Sequence, residues 1–471
     1  MSSTYVKDRR ISKIKLSSKQ GHSHERDPYI IQIGLDFGTM FSKVICRDVS
    51  IDKAWVHRFS RSNDPEFPFL IPSTLLIRKG ILKHISNTDS YYPEHGLYHL
   101  KLAVQKVALG QWQDPLLQQY RRQFSVDIQN VQLKNFVIAC AIYYLGSVIG
   151  DVKYQIKQRY PDIGERADDY IAVNMAIPVA DAEQQQVGKL FERILYRAWM
   201  ISDLLAGHFQ IALRELIGLL NNACKFDSSL MKNSCFIYPE VSANVQGFVR
   251  SRVSAPGIYL FSDTGAGSVD QSVFIFLREN QRELLSYLHG SVLPLGSSHI
   301  EQIAARIAAD RGDNRQSLEY WRIKKESGES DPILESAKNE IAWKLCQGTE
   351  TTLAHARRKL YVRDQLFQIR IIFGGGGHCK HPYETGTMRS FQGRLFTRPI
   401  KPDIVGLPSP NDLEKPFQQN WFKRLSVAYG LSFIKAELTP FKYPQENEKP
   451  EPQEIWQPKK ALSDAPTKDQ C

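Results

Sequence analysis

The sequence predicts an α/β protein organised around a duplicated strand pair, on three observations. A β-branched and aromatic run ending in Asp, with glycine two residues on and a second apolar run after it, occurs at Tyr29–Cys46 and again at Gly257–Phe276. A third apolar run, Ile369–Phe373, leads into four consecutive glycines, Gly374, Gly375, Gly376 and Gly377. Two apolar segments have the character of helices. Phe136–Ile149 is too short to span a bilayer and reads as a buried helix. Ile333, Ala337, Ile341 and Leu345 repeat every four residues behind Asp331 as N-cap and Pro332 in the first turn, with Gly348 as terminator.

Each duplicated segment reads as a β-hairpin with an acidic, glycine-bearing tip. The first tip is Asp36-Phe-Gly38-Thr39-Met40, followed by Lys43; the second is Asp263-Thr-Gly265-Ala266-Gly267-Ser268, followed by Asp270. Glycine lets backbone N–H groups approach a ligand closely, and successive N–H groups in such a turn form a concave anion site suited to phosphate. An Asp beside that site repels phosphate unless a divalent cation or its water shell lies between them. A lone Asp-x-Gly is ordinary turn chemistry. Two copies, each inside a strand pair, point beyond a turn. The four glycines after the third strand leave bare backbone on which a flat ligand can lie.

The 471 residues have a near-average globular composition, 42% hydrophobic and 24% charged, so a sizeable core is available. The formal charge of +11 is the unusual number and invites a nucleic-acid reading. Much of it lies at one end. Residues 1–28 are Ser-rich with a net charge of +4, and read as a basic flexible tail. No apolar stretch of the kind found in signal peptides occurs there, and the seven cysteines form no C-x-x-C pair, so a cytoplasmic protein with reduced thiols is expected. Residues 440–471 hold six prolines and few apolar residues, and read as a Pro-rich extended tail. The aromatic and basic residues between the tails form no interleaved stripe, so nucleic-acid binding by the core is not supported. His378-Cys-Lys-His381 is too cramped for a zinc site and is expected in the loop after the glycines.

Together these segments resemble the actin/Hsp70/sugar-kinase ATPase superfamily, and within it the Hsp70 nucleotide-binding domain most. Asp36-Phe-Gly-Thr39 resembles its first phosphate motif, Asp263-Thr-Gly-Ala-Gly-Ser268 the second, and Phe373-Gly-Gly-Gly-Gly377 the adenosine motif. Other landmarks follow in family order. Ala172–Pro178 is similar to the strand ending in Val-Pro, with Gln184–Met200 as its helix. Tyr238-Pro-Glu240-Val-Ser-Ala-Asn244 resembles the first connecting motif, Pro294-Leu-Gly296 the Leu-Gly-Gly turn, and Ala428-Tyr-Gly430 the helix returning to the first lobe.

The resemblance implies a two-lobed actin-like ATPase fold, with duplicated ribonuclease-H-like lobes around a nucleotide cleft. Lobe I would be 29–256, lobe II 257–400, and 401–439 the linker and helix returning to lobe I. It implies ATP or ADP and Mg²⁺ as ligands, with Asp36 and Asp263 holding the metal through its waters. Gly38, Thr39, Met40, Gly265, Ala266, Gly267 and Ser268 would cradle the phosphates. Gly296, Gly374–Gly377 and the helix face Glu335, Lys338 and Asn339 would serve the rest of the nucleotide. Two lysines, Lys43 and Lys101, are candidates for offsetting charge on the terminal phosphate, and Asp270 and Glu240 for orienting water. The sequence departs from the family pattern at Met40 (a threonine there), Ala266 (a glycine), Asn339 (an arginine) and Glu240, which follows its proline instead of preceding it.

The expected function is therefore an Hsp70-like ATP-binding protein. It would be a slow Mg-dependent ATPase switching a separate protein partner, which would dock on a tail, with Trp456 as one anchor. No Hsp70 substrate-binding domain is expected in residues 438–471. Two other classes share the fold: an actin-like filament-forming or DNA-segregating protein, and a nucleotide-sensing adaptor that does not hydrolyse.

Overall fold

A computed structural model describes residues 26–447, apart from 61, 63, 65, 86–94, 124–128, 178–184, 224–233, 252–253, 280–281, 316, 361, 394 and 397. Most of the basic segment, the Pro-rich segment beyond 447 with Trp456, Pro178 and Gln184 lie outside the described residues.

The chain is an α/β protein with two mixed sheets and one antiparallel sheet. In the first sheet, β1 (Ile30–Phe37) pairs antiparallel with β2 (Phe41–Asp48), and β2 with β3 (Lys53–Val56) and β4 (Ile71–Pro72). A small sheet follows, made of β5 (Leu75–Arg78), β6 (Ile81–His84), β7 (Gly96–Leu97) and the later β9 (Gln210–Ala212). Three helices come next: α1 (Leu100–Ala108), α2 (Pro115–Arg122) and α3 (Asn130–Arg159). Then β8 (Tyr170–Ile177) returns parallel to β1, α4 (Gln185–Leu205) packs on α3, and α5 (Leu213–Ala223) leads to β10 (Cys235–Pro239), parallel to β8. The first sheet thus runs β3-β2-β1-β8-β10.

The second half repeats that order. After α6 (Glu240–Asn244) and α7 (Gln246–Val249), β11 (Gly257–Thr264), β12 (Val269–Glu279) and β13 (Arg282–Leu293) form an antiparallel meander. Helices α8 (Ser297–Asp310), α9 (Leu318–Glu326) and α10 (Pro332–Arg357) intervene before β14 (Arg370–Gly374) pairs parallel with β11. After α11 (Thr385–Arg389), β15 (Asp403–Val405) adds parallel to β14. The order β13-β12-β11-β14-β15 matches the first sheet strand for strand, with the same parallel and antiparallel senses.

Strand β1 is buried over nearly its whole length because helices cover both faces of the sheet. On one face, α3 and α4 pack together; α3 is long and apolar enough to cross a membrane, but its most apolar window is 94% buried inside the protein, so it is a core helix. On the other face lies α12 (Phe422–Leu431), drawn so close that a Cβ on Gly34 would sit 2.1 Å from the Ala428 carbonyl oxygen. Arg47 of β2 locks this face from within. It is 1% exposed, paired with Asp52 and Asp412, and its guanidinium stacks 3.9 Å over Phe433.

Four boundaries differ from the sequence expectation. Helix α10 does begin at Asp331, whose side chain accepts from the Ile333 and Leu334 N–H groups, but it continues through Gly348 to Arg357. Thr349, Thr352, Leu353 and Ala356 extend the buried stripe, and Gly348 serves a close approach instead of a stop: its Cβ would lie 2.7 Å from Leu293. Strand β15, within the segment expected to return to lobe I, still belongs to the second sheet, so the crossing comes after Val405. The Pro-rich segment starts ordered, because β16 (Phe441–Lys442) pairs with Leu285–Ser286 of β13 and Asn447 donates to the Tyr287 carbonyl. At the other end, Arg26 is held by Asp162 and Asp169.

Candidate functional site

Both hairpins end at one cavity of about 470 Å³, a size suited to a small-molecule ligand. In the first, Asp36 at the end of β1 is in register with Lys43 of β2 and accepts from its Nζ at 2.5 Å. In the second, Asp263 at the end of β11 is in register with Asp270 of β12. The spacing from each Asp to its cross-strand partner is the same, so the two tips are loops of equal length. Gly38, Thr39 and Met40 of the first tip and Gly265, Ala266 and Ser268 of the second line the cavity.

The second tip is fixed from behind. Its ends close through the Gly265 N–H to the Ser268 carbonyl, and the first residues of α8 donate to it, Ser297 N–H to the Gly265 carbonyl and Ser298 to the Ala266 carbonyl. Gly296 is packed there too, its Cβ position 2.3 Å from the Ala266 oxygen, so Gly296 supports the tip and does not line the cavity. Gly267 likewise faces the first tip instead of the open space.

The glycine run closes over the same carboxylate. Gly374 pairs with Asp263 as the last ladder residue of β14, and Gly375 turns with φ +88°. A Cβ on Gly375 would lie 2.2 Å from Asp263 Oδ1, so a larger residue is excluded by Asp263 before any ligand is considered. Gly377 N–H donates to the Thr264 carbonyl. Gly375, Gly376, Gly377, His378, Cys379 and His381 line the cavity, whereas Gly374 lies behind it.

The carboxylates crowd. Asp263, 6% exposed, accepts from Asn244 Nδ2 at 2.7 Å. Burial, then Glu240 and Asp36, push its carboxyl up to about 7, against the opposing pull of Lys43 and the Asn244 hydrogen bond. Asp36 is equally buried, and its Oδ1 has no hydrogen-bond partner among the described residues. Lys101, from α1, donates to Glu240 Oε2 at 2.8 Å. Burial opposes its charge, but Glu240, Asp36 and Asp270 together hold its ammonium above the ordinary range. Of the two candidate lysines, Lys43 is thus tied to Asp36 and Lys101 to Glu240, and both line the cavity.

At the far wall the helix face of α10 is only partly used. Lys338 lines the cavity and pairs with Glu335 at 2.8 Å, while Glu335 and the exposed Asn339 do not reach it. One residue on a helix is a rotation of about 100°, which carries Asn339 away from the side Lys338 faces. Side chains that the sequence left unassigned take that wall. Lys325 of α9 donates at 2.5 Å to Glu301 of α8, which is 1% exposed, and Arg322 lies one turn before it. Lys423 and Arg424 of α12 also line the cavity, Arg424 against Gly376. Asn244 closes the Pro239–Asn244 motif and was visible there without an assigned role. Arg322 and Lys325 share a face at a spacing of three, but nothing in the sequence ties them to Glu301.

Among the described residues no group of three or more His, Cys, Asp or Glu is arranged to ligate a metal directly. The arrangement suits an anion held by backbone N–H groups, with a cation between it and the paired carboxylates. Scanned against protein-family models the chain finds no match, and a search of the curated proteins likewise finds none.

Proposed function

We propose that the chain is a nucleotide-binding protein of the actin/Hsp70/sugar-kinase type, closest to an Hsp70 nucleotide-binding domain. Its two ribonuclease-H-like lobes bind Mg–ATP in the cleft, hydrolyse it slowly and switch a separate protein partner. The observation that carries this reading is the equivalence of the two sheets at the cleft. Each follows the same strand order, and each ends its first strand in a buried Asp beside a glycine-bearing tip, with equal spacing to the cross-strand partner.

The donor set fits a hydrated divalent cation. Asp36 Oδ1 is buried and has no hydrogen-bond partner among the described residues, and the mutual repulsion of Asp36, Glu240 and Asp263 is relieved by positive charge between them. When bound, magnesium neutralises charge on the terminal phosphates. The protein's own part is positioning. Asp36 and Asp263 would hold the cation, and the N–H groups of Gly38–Met40 and Gly265–Gly267 would cradle phosphate oxygens. Lys101, fixed by Glu240, offsets charge as the terminal phosphoryl group leaves. Asp270 and Glu240 are the carboxylates that would orient water; Lys101 engages Glu240 Oε2, and the Ser268 hydroxyl donates to Asp270 Oδ2. Closure of the lobes on nucleotide gives a partner two shapes to distinguish.

The test is ATP hydrolysis and sedimentation measured together on the full chain and on Asp263→Ala. The reading expects Mg-dependent ATP binding with slow phosphate release, lost in Asp263→Ala, and no nucleotide-dependent pelleting. Pelleting with nucleotide turns the reading to an actin-like filament, and a wild-type chain that binds no nucleotide removes it.

A further inference from the structure

The two cations on α12 are the part of the cleft that the proposed chemistry leaves unused. Helix α12 packs on β1 and β2, so it belongs with the first sheet, yet Arg424 reaches over the glycine run of the second. A Cβ on Gly376 would lie 3.0 Å from Arg424 Nη1 and 3.3 Å from its Cγ. The bare backbone of Gly376 is what lets the guanidinium lie there. From below, the Phe67 ring supports it at 4.6 Å. Lys423, the residue before it, also lines the cavity and has no ion pair among the described residues.

Arg424 meets the glycine run at Gly376, and in the chain Gly376 lies between Gly375, packed on Asp263 of the second tip, and Cys379, whose thiol feels the charge of Lys338. A ligand whose terminal phosphates lie in the tips and whose base lies toward Lys338 must pass its inner phosphate under this guanidinium. We infer that Arg424, assisted by Lys423, is a phosphate-binding residue that takes an inner phosphate of the nucleotide against the glycine run and links the two lobes through it. A guanidinium suits this because its fork meets two phosphate oxygens at once. This inference rests on the nucleotide reading but makes a separate prediction for the phosphate alone.

The experiment titrates adenosine, ADP, ATP and inorganic pyrophosphate into the full chain by calorimetry, for wild type, Arg424→Gln, Arg424→Lys and Lys423→Gln. Arg424→Gln is expected to weaken ADP, ATP and pyrophosphate about tenfold, as loss of a charge-assisted hydrogen bond does, and to leave adenosine unchanged. Arg424→Lys recovers part of the loss, and Lys423→Gln, at an exposed position, costs less. Equal affinities in wild type and Arg424→Gln overturn the inference, as does a loss that extends equally to adenosine, which marks a structural role. If wild type binds pyrophosphate through Arg424 but no adenosine compound, the anion site stands and the nucleotide reading falls. If it binds none of the four, both fall.

Discussion

Thr39 of the first hairpin packs directly on Gly267 of the second: a Cβ at 267 would lie 2.8 Å from Thr39 Cγ2 and 2.9 Å from Leu102 Cδ1. The two tips therefore meet through the Thr39 side chain alone, and the distance between their backbones is set by the absence of one at 267. Gly267→Val is expected to wedge the tips apart. Overpacking of this kind costs about 1–3 kcal/mol, and the phosphate cradle loses its geometry, so ATP affinity falls at least about tenfold. Urea denaturation and nucleotide titration on the same variant check it. Unchanged affinity with the expected loss of stability would mean that the tips do not share a ligand.

Asp263 makes the ligand-free protein sensitive to pH. Its carboxyl is pushed up to about 7 in the fold, chiefly by burial and then by Glu240 and Asp36. A carboxyl raised above its unfolded value of about 3.9 favours the folded state when protonated. Its contribution is complete below pH about 4 and is lost as pH rises through about 7. Asp263→Asn keeps a neutral acceptor for Asn244 at every pH. The variant is expected to melt higher than wild type at pH 8, with the difference closing toward pH 5. A melting-temperature difference that stays constant across that range would show that Asp263 is ionised throughout.

Lys101 and Glu240 separate stability from turnover. Both side chains are largely buried, at 8% and 12% exposure, so removing one partner alone leaves a charge without its counterpart. Lys101→Ala is expected to cost about 3–5 kcal/mol in unfolding free energy. The double change Lys101→Met with Glu240→Leu is expected to recover most of it, since an apolar replacement of a buried pair is often neutral. Hydrolysis by the double variant should still fall by at least about a hundredfold, the usual loss when a transition-state charge stabiliser goes, while ATP binding persists. Turnover that returns along with stability would assign Lys101 a structural role only.

How legible this was depends on where the information sits in the chain. The two hairpins were readable because each is a local unit: strand, Asp, glycine tip and return strand follow within about twenty residues, and the two copies reinforce one another. The start of α10 was readable for the same reason, Asp331 and Pro332 being a local cap. Its end was not, because Gly348 looks like a stop in sequence and is a contact with Leu293 in space. The small sheet of β5, β6, β7 and β9 is not legible in the sequence, its strands being two to four residues long. Asn339 lies a single helical step off the face that Lys338 turns to the cavity. Arg322, Lys325 and Arg424 could not be found from spacing, since each acquires its position from a different element: Glu301 on α8 for Lys325, and Gly376 after β14 for Arg424.

Cys379 offers a direct readout of occupancy at the far wall. It is exposed, lines the cavity beside the glycine run, and its Sγ lies 3.0 Å from the His381 carbonyl oxygen. Cys46, Cys140 and Cys235 are buried, and burial pushes their thiols up, which leaves them inert. Burial also raises the Cys379 thiol, while Lys338 and Lys325 pull it back. N-ethylmaleimide at pH 8 should therefore modify the peptide carrying Cys379 slowly but measurably, as read by mass spectrometry. Saturating Mg–ATP is expected to slow that reaction at least about tenfold, because the reactive fraction falls with the fraction of empty sites. Pyrophosphate, which would fill the tips and the Arg424 position without reaching Lys338, should protect far less. Equal protection by the two ligands would place the base elsewhere than the wall formed by Lys338 and Cys379.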